Sequence, residues 1–321
     1  MCTAIRDNNL FGRTLDLEYS YDEKIVVVPR SYEFTFSGQK VRNHHAMIGV
    51  AHIANGYPLL YDGINEKGLA AAGLNFPGNA VYYDPAEGKH NIASFELIPW
   101  ILSLCDTVDY AERLLLNANI TSVPFSSELP PTPLHWMIVD KSRAITVEQT
   151  CDGLAIYENT IGVMTNNPPF TYHLLRTADY MCLDSYSRPN TLCPDIDLNE
   201  YSRGMGGLGL PGDYSSNGRF VRAVFGKYHT TQDDSCVNRF FHVMDTVSIP
   251  KGCVKTDDGK DVLTVYTSCA DLEEPAYYFT TYNCRRIKCV QLSEELANAD
   301  ELRSFAMNPH ECKDQIEYFN E

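Results

Sequence analysis

The sequence predicts an α+β fold in which strands and helices are stacked in layers. Candidate strands and helices follow one another in blocks, in the order strands, helices, strands, helices, strands. The early strand candidates are nearly continuous apolar runs, which are typical of a sheet covered on both faces. No Pro/Gly/Ser-rich linker, charge block or internal repeat divides the 321 residues. We therefore expect one domain that spans residues 1–321.

The first block contains five strands and begins with a hairpin. The predicted strands cover residues 2–6, 10–14, 24–28, 46–52 and 68–76. Asp7, Asn8 and Asn9 separate the first two strands, and such residues tolerate the backbone of a tight turn. The hairpin would place the second strand directly beside residue 2.

Helices and strands then alternate in blocks to the end of the chain. The predicted helices cover residues 94–105, a segment capped by Thr107, and residues 172–182, 219–227 and 235–247. The remaining strands cover residues 135–140, 144–150, 154–158, 161–165, 263–268, 276–281 and 286–292, and a polar tail follows. Residues 185–216 form the longest irregular stretch and are a candidate assembly segment, because long loops usually serve function or assembly.

Charge and cysteine content exclude several classes of function. The chain carries 26 Lys and Arg residues against 42 Asp and Glu residues, a net charge of −16. Such a surface repels a phosphate backbone or an anionic membrane, so we expect no nucleic-acid or membrane partner. The 11 cysteines follow no repeating frame, which indicates reduced thiols. With no export signal at the N-terminus and no apolar run of roughly 18 residues, we expect a cytoplasmic protein.

Cys2 is the most informative residue of the sequence. Removal of the initiator Met1 would leave its thiol and its α-amine on one residue. The thiol can act as a nucleophile, and an amine with an unperturbed pKa of about 7.7–8.0 can accept its proton. The alternative is that a cysteine stands at position 2 by chance.

Arg13 and Asp16 would lie beside Cys2 if the first hairpin forms. The carboxylate of Asp16 could hold the α-amine, and the guanidinium of Arg13 could stabilise the thiolate. The alternative is a surface ion pair, which contributes little to stability.

Ten short stretches resemble the choloylglycine hydrolase family, which contains bile salt hydrolases and penicillin V acylases. The matching stretches are Met1-Cys2-Thr3, Phe11-Gly12-Arg13-Thr14-Leu15-Asp16, and residues 65–69, 72–77, 134–137, 147–150, 162–166, 210–213, 219–222 and 266–269. They run in the family's order along most of the chain, so together they are far more specific than any one alone.

The resemblance implies roles for six residues. Cys2 matches the family's nucleophile, Asp16 the carboxylate that orients its amine, and Arg13 the arginine beside the sulfur. Asn75 and Asn166 match the asparagines that stabilise the oxyanion, although each could be an ordinary turn or strand-end residue. Arg219 matches the last arginine of the site, and its alternative is an exposed charge on a helix.

The resemblance also implies a fold, a reaction and an assembly. The fold is a four-layer αββα sandwich, and the reaction is hydrolysis of glycine- or taurine-conjugated bile salts without a metal or organic cofactor. The assembly is a homotetramer. Residues 19–21 and 57–60, taken as loops, are candidates for an apolar substrate wall.

Two other functions remain open from the sequence. The first is penicillin V acylase activity. Asn75 favours bile salts, because several penicillin V acylases have Tyr at this position. The second is a non-catalytic carrier of steroids or other small molecules on the same fold.

Overall fold

Two large sheets lie face to face at the centre of the structure, a computed structural model that describes residues 1–231 and 236–307. In chain order the strands are β1 (Cys2–Asp7), β2 (Leu10–Leu17), β3 (Lys24–Val28), β4 (Phe34–Phe36), β5 (Gln39–Val41), β6 (Met47–Ala54), β7 (Tyr57–Asn65), β8 (Ala70–Asn75), β9 (His90–Ala93), β10 (Ala118–Thr121), β11 (Leu134–Val139), β12 (Ala144–Thr150), β13 (Gly153–Glu158), β14 (Val163–Met164), β15 (Val254–Lys255), β16 (Asp261–Asp271), β17 (Ala276–Thr281), β18 (Cys284–Gln291) and β19 (Arg303–Ala306). The helices are α1 (Leu97–Leu104), α2 (Val108–Leu115), α3 (Phe170–Arg176), α4 (Ser216–His229), α5 (Cys236–Asp245) and α6 (Glu294–Ala297).

Both large sheets are antiparallel. The first sheet has the order β14-β1-β2-β16-β17-β18, with β15 paired to β16, and the second has the order β13-β12-β11-β8-β7-β6-β3-β19. Strands β4 and β5 form a small hairpin, and β9 pairs with β10 in parallel. The nucleophile candidate Cys2 therefore begins the strand that lies between the edge strand β14 and β2 in the first sheet.

Three hydrophobic clusters separate four layers. The central cluster lies between the sheets and joins residues such as Phe11 and Tyr266 of the first sheet to Ile64 of the second. Helices α1 and α2 pack on the outer face of the second sheet, and α4 and α5 pack on the outer face of the first. The predicted αββα layering is confirmed. No helix in residues 1–231 and 236–307 is long and apolar enough to span a bilayer.

The first hairpin forms as predicted. Strands β1 and β2 pair antiparallel with Cys2 opposite Leu15, and Asn8 adopts a positive φ of 53° in the turn. Asparagine tolerates this left-handed backbone better than most residues, which is why the turn could be predicted from the sequence.

Helix caps and a tolerated proline explain the helix boundaries. The Thr107 side chain accepts a hydrogen bond from the Tyr110 N–H at the start of α2, as expected. Pro99 is the third residue of α1, where a backbone N–H has no partner inside the helix, so the helix is not broken. Ser215 caps α4, which begins three residues before the predicted start.

Several predicted elements need correction. Residues 57–60 are not a loop but the start of β7, and Tyr57 packs in an aromatic cluster with Phe34, Phe95 and Phe125. The helix predicted for residues 172–182 is shorter and begins earlier. It ends at Arg176 and continues as a 3₁₀ turn over Thr177–Tyr180, because exposed residues beyond it provide no packing for a longer helix.

The C-terminal region is also more ordered than predicted. The polar tail includes α6 and strand β19, which pairs antiparallel with β3 at the edge of the second sheet. The first residue of the helix predicted for residues 235–247 lies outside the described residues, as does the end of the tail. Residues 185–216 contain only a 3₁₀ turn, Met205–Gly207, before α4 begins, which agrees with the predicted irregular stretch.

Candidate active site

The hairpin of β1 and β2 places Arg13 against the sulfur of Cys2. Both residues are buried, and Nη2 of Arg13 donates to Sγ of Cys2 at 2.5 Å. Nη1 donates to the Gly73 carbonyl at 2.7 Å, and Nε donates to the Thr14 carbonyl at 3.0 Å. The backbone carbonyls hold the guanidinium in place, so it offers a positive charge to a Cys2 thiolate.

Asp16 lies three residues after Arg13 on β2 and is fully buried. Its carboxylate accepts hydrogen bonds from the hydroxyls of Thr14 at 3.1 Å and Thr264 at 2.6 Å. In the chain that still carries Met1, the Met1 amine donates to the backbone carbonyl of Asp16. The expected contact between the Asp16 carboxylate and a Cys2 α-amine therefore stays a prediction for the processed chain.

Asn166 joins the Cys2 backbone to the other side of the site. Its Oδ1 accepts from the Cys2 nitrogen at 2.7 Å and from Nη2 of Arg219 at 2.9 Å. Its Nδ2 donates to the Asn75 carbonyl at 2.7 Å. Among the described residues, the side-chain amide of Asn75 itself has no hydrogen-bond partner. This leaves the Asn75 amide available to a ligand.

Arg219 reaches the site from the first turn of α4 and is fully buried, which excludes the exposed helix charge. Its Nη1 donates to the Cys2 carbonyl at 2.5 Å and to the Thr3 hydroxyl at 2.7 Å. Nη1 also lies 4.0 Å from the Asp16 carboxylate. Burial lowers the pKa of Arg219, and the charge of Asp16 opposes that shift.

The structure therefore brings all six predicted residues together, with Arg13 and Arg219 on either side of Cys2. Thr3 and Thr264 also contact these residues and were not predicted. Their hydroxyls could not be distinguished in the sequence from those of ordinary strand threonines.

Two buried histidines, also missed from the sequence, hold the backbone that carries Asn166. His135 contacts the Thr165 carbonyl through Nε2 at 2.8 Å and Glu148 through Nδ1 at 3.0 Å. His173 contacts the Asn166 carbonyl through Nε2 at 2.9 Å. Since both partners are carbonyl oxygens, both Nε2 atoms must carry a hydrogen and donate it.

Comparisons with known proteins agree with this geometry. Residues 2–305 match the family of linear amide C–N hydrolases called the choloylglycine hydrolase family. This chain belongs to the choloylglycine hydrolase family. It is 43% identical over 316 residues to a bile salt hydrolase/transferase of Lactiplantibacillus plantarum, covering 96% of this chain and 97% of the relative. It is 35% identical over 320 residues to a bile salt hydrolase/transferase of Clostridium perfringens, with coverage of 96% and 97%.

Solved structures of related proteins share the whole fold. A variant of conjugated bile acid hydrolase from Clostridium perfringens matches with a TM-score of 0.90 at 33% identity, and the match covers 100% of both chains. Penicillin V acylase from Agrobacterium tumefaciens matches with a TM-score of 0.74 at 19% identity, covering 99% of this chain and 94% of that one. At 19% identity, the likeness to penicillin V acylase shows only that the two proteins share a fold.

Membership in the choloylglycine hydrolase family makes this chain an amide hydrolase. The fold predicted from the resemblance is confirmed, and the non-catalytic carrier is not supported. The site is suited to acyl transfer, because the buried sulfur accepts from the fixed cation of Arg13 while Asn166 and Arg219 hold the Cys2 backbone.

An aromatic group lies in the segment after β2 of this choloylglycine hydrolase. The hydroxyls of Tyr19 and Tyr21 are 2.6 Å apart, and the Tyr21 carbonyl accepts from Nδ1 of His52 at 2.8 Å. Burial and the bond to Tyr19 raise the pKa of Tyr21 to about 12, so its hydroxyl is neutral at physiological pH. The exposed rings of both tyrosines remain candidates for the substrate wall.

Proposed function

We propose that this protein hydrolyses the amide bond of bile salts conjugated to glycine or taurine. The observation that carries the proposal is the cluster of Arg13, Asn166 and Arg219 around Cys2 in a member of this family. The relatives from Lactiplantibacillus plantarum and Clostridium perfringens, which are named bile salt hydrolase/transferase, support the substrate class.

The proposed reaction begins at the sulfur of Cys2. After removal of Met1, the α-amine accepts the thiol proton while Sγ attacks the amide carbonyl. The tetrahedral intermediate collapses to a thioester, and the amine returns the proton to the departing glycine or taurine nitrogen. Water then attacks the thioester with the amine as base, which releases the free bile acid and restores the thiol.

Four side chains support the reaction along this path. Arg13 lies at the sulfur and favours the thiolate. The amide of Asn75 has no partner among the described residues and is a suitable donor to the oxyanion. Asn166 and Arg219 bind the nitrogen and carbonyl of Cys2 respectively, so we propose that they fix the nucleophile in position.

Penicillin V acylase activity is the second candidate. The reaction would use the same groups, but the acyl part would be a small phenoxyacetyl group instead of a steroid. Asn75 favours the bile salt, because a Tyr ring at this position would narrow the site. The test must therefore compare substrates on one preparation.

We expect at least one conjugated bile salt to exceed penicillin V in kcat/KM by about tenfold, or roughly 1.4 kcal/mol of transition-state binding. The measurement is kcat/KM for glycocholate, taurocholate and penicillin V with the purified enzyme. The Cys2→Ala variant, assayed in parallel, controls for contaminating amidases. A higher kcat/KM for penicillin V would contradict the substrate assignment and leave the proposed role of Cys2 untouched.

We propose further that four copies assemble through residues 185–216. This segment exposes large apolar side chains, among them Leu192 at 88% and Tyr201 at 82% of their full surface. Light scattering should give four times the chain mass of 36.2 kDa. Leu192→Asp should lower this mass, whereas Leu116→Asp, at an exposed leucine after α2, should not. A monomeric wild type at micromolar concentration would contradict the proposal.

We also propose a reducing compartment, the cytoplasm, as the site of action. The thiols of Cys105 and Cys269 are free and buried, and those of Cys151 and Cys253 are free and exposed. Free exposed thiols support a reducing environment, because an oxidising one would modify them.

A further inference from the structure

A second buried carboxylate, Asp62, lies close behind the proposed active site. It stands on β7 in the second sheet and is almost fully buried. Its Oδ2 accepts from the Tyr266 hydroxyl at 2.5 Å, and its Oδ1 accepts from the hydroxyls of Tyr277 and Ser268. These three donors belong to β16 and β17 of the first sheet, so the carboxylate joins the two sheets.

Three hydroxyls donate to the oxygens of Asp62, an arrangement that favours the charged form of the carboxylate. Burial and the charge of Asp62 raise the pKa values of Tyr266 and Tyr277 well above the ordinary value. Both phenols therefore stay protonated and can donate. Burial raises the pKa of Asp62, while Arg13 and the hydroxyl donors act in the opposite direction. A buried charge of this kind needs such compensation, because desolvation without partners is costly.

Asp62 is connected to the Cys2 sulfur through Arg13. Ser268 accepts from the Arg13 backbone N–H at 3.2 Å and lies 3.4 Å from Asp62 Oδ1, to which it donates. The Arg13 side chain donates to the carbonyl of Tyr61, the residue before Asp62, at 3.4 Å. The charges of Asp62 and Cys2 both favour the cationic form of Arg13. The charge of Asp62 thus acts on the same guanidinium that contacts the sulfur, and Ser268 links the carboxylate to the Arg13 backbone.

We propose that Asp62 is a positioning residue that fixes Arg13 and sets the positive charge that Arg13 presents to the sulfur of Cys2. This inference rests on the proposed role of Cys2 as nucleophile. The charged groups that face the sulfur are Arg13, Asp16, Arg219 and the α-amine that follows loss of Met1. Asp62 offsets Arg13, so its removal leaves a more positive environment and favours the thiolate.

The test measures alkylation of Cys2 by iodoacetamide across a pH series, using the mature enzyme without substrate. Mass spectrometry of the tryptic peptide that ends at Arg6 separates Cys2 from the other cysteines. In Asp62→Asn we expect the midpoint of the alkylation profile to move to lower pH by about half a unit or more. We also expect kcat to fall at least about tenfold with a smaller change in KM, because Arg13 is less well fixed.

Two further variants keep the test decisive. Tyr277→Phe removes one donor to the carboxylate, which favours the protonated, uncharged form of Asp62. It should therefore move the midpoint in the same direction by less, and it can be measured even if Asp62→Asn does not fold. Asp109→Asn removes an exposed acid on α2 and should leave both midpoint and kcat unchanged. An unchanged or higher midpoint in folded Asp62→Asn, or in Tyr277→Phe where only that variant folds, would overturn the inference.

A failure of the proposed function can be distinguished from a failure of the inference about Asp62. If complete alkylation of Cys2 in the wild type leaves bile salt hydrolysis intact, the nucleophile has been misassigned. If bile salts are not cleaved but the midpoint still shifts, the role of Asp62 stands and the substrate is different.

Discussion

Replacement of Cys2 by alanine is expected to abolish turnover of every amide substrate while the fold is retained. The side chain is small, and the central hydrophobic cluster loses only one sulfur atom. Without the sulfur no acyl-enzyme can form, and the α-amine alone cannot replace it. Initial rates with glycocholate should fall to the background of the assay, whereas the thermal unfolding temperature should change little.

A serine at position 2 tests whether turnover depends on the thiol itself or only on a side chain of similar size. Cys2→Ser retains a donor of similar size, but a hydroxyl is a much weaker nucleophile near neutral pH. We expect severe impairment with a native unfolding temperature. Turnover at the wild-type rate in Cys2→Ala would mean that the nucleophile lies elsewhere.

The same preparation tests the processing step on which the mechanism depends. The α-amine can act as the base only after Met1 has been removed. The intact mass of the active enzyme should therefore be lower than that of the full sequence by one methionine. Full activity with Met1 retained would contradict the use of this amine, although it would leave the sulfur as a candidate.

Local signals in the sequence explain why the first hairpin could be predicted and strand β7 could not. Asp7, Asn8 and Asn9 mark the turn, and Asn8 does adopt the left-handed backbone. Strand β7 contains Pro58 and Gly63, which ordinarily disfavour strands, and it is held by pairing with β6 and β8. Tertiary pairing outweighed local preference there.

The active site was predictable only in part from local spacing. The hairpin alone brings Arg13 to Cys2, since these residues are 11 positions apart on paired strands. The bond between Arg219 and the Cys2 carbonyl spans 217 positions, and its prediction required the resemblance to a family. Asp62 and its hydroxyl donors come from both sheets, so no local pattern in the sequence places them together.

After Cys2, Asn166 is the residue whose replacement should lower kcat the most. Its side chain accepts from the Cys2 nitrogen and from Arg219, and it donates to the Asn75 carbonyl. Asn166→Ala leaves the buried Arg219 short of an acceptor and the nucleophile less well fixed. We expect kcat to fall about 10²–10³-fold, equivalent to roughly 2.7–4 kcal/mol, with a smaller change in KM.

Asn166→Asp distinguishes the oxygen of this side chain from its nitrogen. The variant keeps acceptor oxygens for the Cys2 nitrogen and for Arg219. It loses the Nδ2 donor of the side chain, which this residue would need in order to stabilise an oxyanion. If Asn166 acts as an oxyanion donor, the aspartate should be as impaired as the alanine. If it acts chiefly by holding the Cys2 nitrogen, the aspartate should retain much more activity than the alanine.

A second buried asparagine provides the matched control for these variants. Asn159 donates to Thr146 and to the Val163 carbonyl, and it accepts from Gly162, so its amide is as fully bonded as that of Asn166. None of these bonds involves Cys2. Asn159→Ala should therefore lower the unfolding temperature and leave kcat of the folded enzyme near the wild-type value. Equal losses of kcat in Asn159→Ala and Asn166→Ala would mean that Asn166 supports the fold and has no particular part in the reaction.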